Sequence, residues 1–244
     1  MKIEKIKDIF TNYVSKYDMN DKEIMMKYNH TFRVMKYCEE IAINNNFSQN
    51  EIEISMIIGL LHDYARFAQW IEYKTFSDIL SIDHADLAVK LLFENNEIEN
   101  FEINKEYYPI IKDAIKYHNK VVVPEEVDEN HKKFCHIVRD ADKLDIFYLF
   151  TLNHDCLKED DKVIDKEIEN EFFKENPIYI KKIKNESEHM LLHLSMIYNY
   201  KYNYSLKWMK DNKYIDKMFE NVIRKEKFKK YFGYIKKYID ERNG

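Results

Sequence analysis

The chain has 244 residues, of which 45% are hydrophobic and 34% charged, and this balance excludes a disordered chain and a fibrous repeat. With 39 Lys and Arg residues against 44 Asp and Glu residues, the net charge is −5, which argues against a nucleic-acid partner. The three glycines and three prolines are too few for Gly-rich phosphate loops or for a fold of tight hairpins. The composition therefore predicts an all-α fold.

The spacing of the cysteines and the hydropathy of the chain indicate the cellular compartment of the protein. The three cysteines are widely spaced and form no Cys-x-x-Cys motif, which is typical of reduced thiols rather than of a disulfide framework. The N-terminal residues lack the apolar core of a signal peptide, and no window approaches the length of a membrane span. We therefore expect a cytoplasmic protein without a membrane segment.

Apolar residues recur with a period near 3.6 along most of the chain, which predicts a series of helices. The first short helix begins at the N-terminus and carries an apolar stripe from Ile3 to Val14. Asn20 or Asp21 can cap a second helix that runs to about Asn45. Both helices have one polar side, so we expect each to bury one face.

The next helix is apolar on nearly all sides and should be a central, buried element. Ser48 and Glu51 have the spacing of a capping box at its start, and the helix ends in His62-Asp63. The aromatic segment 64–81 is irregular, and there we expect short helical turns and a loop.

Three further features of the sequence predict helices in the rest of the chain. Asp83 can cap one helix, Pro109 fits the first turn of another, and a long helix is expected over about 130–152. The remainder is also predicted to be helical, with breaks near Asp160–Asp161, Pro177 and Asn212. We interpret residues 1–155 as a catalytic core and 156–244 as a helical continuation packed on it.

Five ionisable residues lie where these helices should be apolar or where they end: His30, His62, Asp63, His84 and His118. Burying so many such groups is costly unless they are paired or coordinate a cation. A metal ion offsets that cost and selects neutral imidazole together with carboxylate. The pattern therefore predicts a metal centre.

The long helix adds three acids to this set. Asp140 and Asp142 flank its apolar stripe on opposite sides, so periodicity does not choose between them as ligands. Asp145 points near the centre of the stripe, where a carboxylate requires a partner.

The order His30, then His62-Asp63, then Asp142 resembles the HD-domain superfamily of metal-dependent phosphohydrolases. The resemblance covers about residues 20–155 and implies an all-helical bundle, to which this chain adds C-terminal helices. It implies that these four residues are the metal ligands. The context Ala-Asp-Lys-Leu in such sequences favours Asp142 over Asp140.

The resemblance also implies a cofactor and site roles. The cofactor would be a divalent ion (Mn²⁺, Fe²⁺, Ni²⁺, Co²⁺ or Mg²⁺), with one ion favoured over two. His84 and His118 match the additional histidines of dinuclear HD phosphodiesterases, and with a single ion they would face the substrate phosphate. Asp63 would orient the attacking water, while Arg66 and Lys143 would contact phosphate oxygens.

The expected function is that of a phosphohydrolase, either a phosphomonoesterase or a phosphodiesterase, acting on a nucleotide or another small phosphate ester. Three alternatives remain: a dinuclear HD-type phosphodiesterase, a di-iron oxygenase built on the same fold, and a non-catalytic regulatory HD domain. The expected partner is thus a small phosphate-bearing molecule, and the sequence allows a homo-oligomer.

Overall fold

The computed structural model describes residues 3–152 and 157–242. Within these ranges the chain forms α-helices joined by turns, short 3₁₀ segments and one π-helical turn, and it contains no strand. The prediction of an all-α fold is confirmed. None of the described helices combines the length and the apolar character needed to cross a membrane.

The chain divides into two compact units, residues 1–142 and 143–244. The division falls inside a long helix, between Asp142 and Lys143. The boundary expected between residues 155 and 156 lies outside the described residues, so the proposed extent of the catalytic core stays a prediction.

Helices α1 to α6 and the first part of α7 belong to the first unit. Their bounds are α1 Ile3–Val14, α2 Lys22–Asn44, α3 Gln49–Leu61, α4 Arg66–Tyr73, α5 His84–Val89, α6 Tyr108–Tyr117 and α7 Glu129–Phe150. Helix α3 packs against α1, α2 and α6, and α5 packs against α6. The nearly all-apolar helix of the sequence is therefore the central element of this unit, as its composition requires.

Capping residues fix where these helices begin. The Asp21 side chain accepts a hydrogen bond from the backbone N–H of Glu23 at the start of α2. At the start of α3, Ser48 and Glu51 form the predicted capping box. Asp83 accepts from two backbone N–H groups at the start of α5, which places His84 as the first residue of that helix. These contacts satisfy donors that a helix leaves unpaired at its N-terminus.

The aromatic segment 64–81 contains short helical structure followed by a loop, as expected from the sequence. Helix α4 occupies its first part, and residues 74–83 then form a loop that leads into α5. Helix α5 continues as a π-helical turn, Lys90–Glu94, before the 3₁₀ segments Glu97–Phe101 and Lys105–Tyr107.

Helices α2 and α3 approach each other closely at Gly59. A Cβ atom added there would lie 2.8 Å from Met35 Cα and 2.9 Å from Cys38 Sγ, both on α2. A glycine is thus required by the space between the two helices, and this close approach brings His30 on α2 toward the end of α3.

The described part of the second unit is helical throughout, with α8 Lys166–Phe173, α9 Glu186–Ser195, α10 Asn203–Asp211, α11 Tyr214–Glu220 and α12 Lys225–Arg242. Asp165 and Asn185 cap α8 and α9. Helix α12 packs against α9, α10 and α11 and buries an aromatic and aliphatic face against them.

Candidate metal centre

Four histidine rings converge on the carboxylate of Asp63, which is 3% exposed. Its Oδ2 lies 3.4 Å from His30 Nε2 and 3.7 Å from His62 Nε2. Its Oδ1 lies 3.4 Å from His84 Nε2 and 3.7 Å from His118 Nε2. Each oxygen therefore faces its own two rings, which we name the first histidine pair (His30 and His62) and the second histidine pair (His84 and His118).

Asp142 joins the first histidine pair from α7. Its Oδ1 lies 3.3 Å from His30 Nε2 and 3.9 Å from His62 Nε2, and the two Nε2 atoms are 3.3 Å apart. The structure thus brings together the four residues that the sequence predicted as ligands. This placement supports Asp142 rather than Asp140, which is buried on the same helix.

The second histidine pair is equally compact. Its Nε2 atoms lie 2.9 Å apart, and the ring of His118 is 5.1 Å from that of His62, centre to centre. Asp63 can form a metal-binding group with either pair, because in each group the candidate ligand atoms lie within 4.8 Å of one another. The two groups are adjacent and share one carboxylate.

The ends of two helices orient two of the rings. His62 follows α3 directly and donates from Nδ1 to the Gly59 carbonyl at 2.8 Å. His118 follows α6 in the same way and donates from Nδ1 to the Ile115 carbonyl at 2.7 Å. These bonds satisfy carbonyls that a helix leaves unpaired at its C-terminus. Because a carbonyl only accepts, Nδ1 of each ring carries a proton and its Nε2 faces Asp63.

A carboxylate orients the third ring. His84 Nδ1 lies 2.7 Å from Asp78 Oδ2, and the ionised carboxylate can only accept. Burial favours the neutral acid, yet the hydrogen bond from His84 and the nearby charges hold the pKa of Asp78 below its ordinary value. His84 therefore also turns an Nε2 lone pair toward Asp63.

The charges of the cluster follow from burial and from neighbouring groups. Burial lowers the pKa of His62 to about 3 and that of His84 to about 4, so both rings are neutral near pH 7. Burial opposes ionisation of Asp63, but the positive charges of Lys27 and Arg66 hold its pKa well below the usual range. The cluster thus contains neutral imidazoles and an ionised carboxylate, the forms that bind metal ions.

Comparison with known families agrees with this geometry. Residues 28–146 match the sequence model of the family described as HD domain. This part of the chain is an HD domain. No curated protein and no solved structure matches the chain.

HD domains generally bind divalent metal ions and act as metal-dependent hydrolases. The donor set of this HD domain fits such an ion. In the second histidine pair, two imidazole Nε2 atoms lie 2.9 Å apart and both face the buried carboxylate of Asp63, an arrangement that a cation stabilises. The first histidine pair offers imidazole nitrogens together with the Asp63 and Asp142 carboxylates, a set that suits a transition-metal ion.

Two predicted phosphate-binding residues of the HD domain have different surroundings. Arg66 Nη1 donates to the Phe76 carbonyl at 2.7 Å and to Asp78 Oδ1 at 3.0 Å, and its Nε lies 3.4 Å from Asp63 Oδ1. Arg66 thus connects the loop 74–83 to Asp63, and its contact with a phosphate stays a prediction. Lys143 is the first residue of the second unit, and its predicted role also stays a prediction.

Sequence reasoning missed three residues around the HD-domain cluster. Lys27 Nζ donates to Asp63 Oδ2 at 2.8 Å, and its position three residues before His30 could have indicated a shared helix face. Arg139 donates to the carbonyls of Tyr117, Lys120 and Val121 and thereby holds the chain around His118. Asp78 lies in an irregular loop, where no periodic signal could have identified it.

Proposed function

We propose that the protein is a divalent-metal-dependent phosphohydrolase that acts on a nucleotide or another small phosphate ester. The observation that carries this proposal is the position of Asp63, whose two oxygens each face a histidine pair with inward-directed Nε2 atoms. A purely structural metal site needs only four closed ligands. Two adjacent metal-binding groups that share the Asp63 carboxylate are better suited to holding a reacting substrate than a closed structural site is.

The metal ion, when bound, would lower the pKa of a water molecule and polarise a phosphoryl oxygen. His30, His62, Asp63 and Asp142 would hold it. Asp63 would also orient the attacking water, since its carboxylate lies between the two histidine pairs.

Two cations flank the same carboxylate and favour an anionic substrate. Lys27 Nζ lies 2.8 Å from Asp63 Oδ2, and Arg66 Nε lies 3.4 Å from Asp63 Oδ1. Their charges compensate the buried carboxylate and raise the local positive potential, which attracts a phosphate group.

A dinuclear phosphodiesterase is the second candidate, and one distance favours it. Asp63 Oδ1 lies within 3.7 Å of both Nε2 atoms of the second histidine pair, so Asp63, His84 and His118 form a group of their own. With one ion instead of two, the second histidine pair would face the phosphate ester. The two forms differ in the number of metal ions per chain.

Metal content and activity should be measured on one preparation. We expect the purified protein to contain one or two equivalents of a divalent metal by elemental analysis. After reconstitution with each of Mn²⁺, Fe²⁺, Ni²⁺, Co²⁺ and Mg²⁺, phosphate release should be tested on nucleoside monophosphates, p-nitrophenyl phosphate and bis-p-nitrophenyl phosphate. Cleavage of the diester would favour the dinuclear form.

Matched substitutions make this test specific. Asp63→Asn should remove metal and activity together, whereas Asp216→Asn, which breaks a surface ion pair with Lys236 in the second unit, should leave both unchanged. A protein that binds none of the five metals would contradict the proposal. So would an Asp63→Asn variant with full activity.

A further inference from the structure

The loop 74–83 between α4 and α5 carries a carboxylate with four hydrogen-bond donors around it. Asp78 Oδ1 accepts from Arg66 Nη1 at 3.0 Å and from Gln69 Nε2 at 3.1 Å. Asp78 Oδ2 accepts from His84 Nδ1 at 2.7 Å and from Asn119 Nδ2 at 3.2 Å. One side chain thus connects an arginine beside Asp63, a ring of the second histidine pair, and the residue that follows the other ring.

The loop around Asp78 is fixed by a buried amide. Gln69 is fully buried, and its Oε1 accepts from Arg66 Nη1 at 2.7 Å. Its Nε2 donates to Ser81 Oγ at 2.9 Å and to the Ile82 carbonyl at 3.0 Å, besides its contact with Asp78. The position of Asp78 is therefore set by several bonds and not by the loop backbone alone.

His84 differs from His62 and His118 in how its tautomer is set. The other two rings donate to carbonyls of their own helices, whereas His84 is the first residue of α5 and donates to a side chain from another segment. Without the carboxylate of Asp78, nothing would fix which ring nitrogen of His84 carries the proton. The tautomers of His62 and His118 would be unchanged.

We propose that Asp78 is the positioning residue of the second histidine pair: it holds His84 in the tautomer that directs its Nε2 lone pair toward Asp63, and it fixes Arg66 beside the same carboxylate. The consequence for metal binding and turnover rests on the proposed function. The assignment of the His84 tautomer does not rest on the proposed function, because the contacts between Asp78 and His84 exist without a metal.

Asp78→Asn is the most informative change. Two donors face each oxygen of Asp78, but they differ in how they can respond. The guanidinium of Arg66 can only donate and the NH₂ group of Gln69 is held by Ser81 and the Ile82 carbonyl, whereas His84 can change its tautomer and the amide of Asn119 can turn. The amide oxygen of the asparagine should therefore face Arg66 and Gln69, and its NH₂ group should face His84. The NH₂ group only donates, so Nδ1 of His84 must then accept and its proton must move to Nε2. The lone pair that faced Asp63 would be lost.

Long-range ¹H–¹⁵N correlation spectra of the metal-free protein report the tautomer of each of its nine histidines. The signals of His84 are identified by their loss in His84→Gln. We expect Nδ1-protonated His84 in the wild type and Nε2-protonated His84 in Asp78→Asn. The matched control is Asp113→Asn, since Asp113 accepts from His131 Nδ1 at 2.6 Å; it should alter His131 and leave His84 unchanged.

Calorimetric titration with Mn²⁺ separates this proposal from the proposed function. In the dinuclear form, Asp78→Asn should weaken Mn²⁺ binding at the second histidine pair by roughly 10–100-fold, as loss of a partner that orients a ligand does. If the tautomer changes but the wild type binds neither Mn²⁺ nor any of the other four metals, the proposed function fails and the role of Asp78 stands. Nε2-protonated His84 in the wild type, or a tautomer unchanged in Asp78→Asn, would overturn the role of Asp78.

Discussion

The two histidine pairs on either side of Asp63 are built in different ways. The first histidine pair comes from α2 and the end of α3, which pack directly against each other across Gly59. The second histidine pair comes from α5 and the end of α6, and its geometry also depends on the loop 74–83 through Asp78. One pair is held by helix packing and the other by helix packing together with a polar network.

This difference indicates which kind of substitution should disrupt the geometry of each histidine pair. Helix packing is sensitive to volume, because protein interiors are close-packed and tolerate an extra methyl group poorly. A polar network is sensitive to the donor and acceptor character of each member, because an unmatched buried group costs free energy. Substitutions that change volume should therefore affect the first histidine pair, and substitutions that change hydrogen bonding should affect the second.

The largest effect is expected from substitution of Asp63, because both histidine pairs face its carboxylate. Asp63→Asn keeps the side-chain volume but removes the charge that faces all four rings and Lys27. We expect loss of metal binding at both pairs and activity below detection, measured by elemental analysis and phosphate release. Retention of metal at one pair would show that the two groups are independent of this carboxylate.

The variants His118→Gln and His30→Gln distinguish the role of the second histidine pair from that of the first. His118→Gln should leave a metal ion on the first histidine pair and Asp142, while turnover falls by roughly 100-fold, a magnitude typical of losing an acid–base or ligand group. His30→Gln should remove metal from the first histidine pair itself. The ratio of metal to protein and kcat, measured for both variants, would contradict this expectation if the two substitutions had the same effect.

Gly59→Ala tests the packing of the first side. The added Cβ would lie 2.8 Å from Met35 Cα, a backbone atom that cannot turn away. We expect a loss of about 1–3 kcal/mol in the free energy of unfolding, measured by urea denaturation, together with weaker metal binding.

The matched control for Gly59→Ala is Gly233→Ala, at an exposed position in α12 where an added Cβ meets nothing within 4 Å. This variant should be stabilised by roughly 0.5–1 kcal/mol, because alanine is the better helix former. Equal stability changes at the two glycines would mean that the contact between α2 and α3 does not limit the volume at Gly59.

A change in stability with pH is also expected in the metal-free protein, and it should involve both histidine pairs. Burial lowers the pKa of His62 to about 3 and of His84 to about 4, whereas an unfolded chain titrates histidine near 6.5. Between these values the unfolded state binds more protons, so stability is full above about pH 6.5 and falls as pH falls toward 4.

We expect a loss of about 1 kcal/mol per histidine between pH 7 and pH 5.5, measured by urea denaturation in the presence of a chelator. His193, whose pKa burial also lowers to about 3, contributes in the same direction. His84→Gln should reduce this dependence, since it removes one of the three groups. Stability that does not change over this range would show that none of these rings is buried in its neutral form.

The helices and most of the metal-binding cluster can be predicted from local features of the sequence. Periodicity, capping residues such as Ser48 and Asp83, and the scarcity of glycine and proline are local properties, so they can be recognised without contacts. The four histidines and Asp63 stood out for the same reason, because each ionisable group interrupts an apolar pattern or ends a helix.

Which atoms of these residues come into contact, and which interactions hold them there, follows from the packing of the helices and not from the local sequence. Asp142 and Asp140 flank the stripe of α7 equally, and the contact of Asp142 with His30 depends on how α7 packs against α2. Asp78 carries no local signal, since its importance comes from donors on α4 and α5 and from the residue after His118. Hydrogen bonds between distant segments follow from the fold, and a period along the chain cannot encode them.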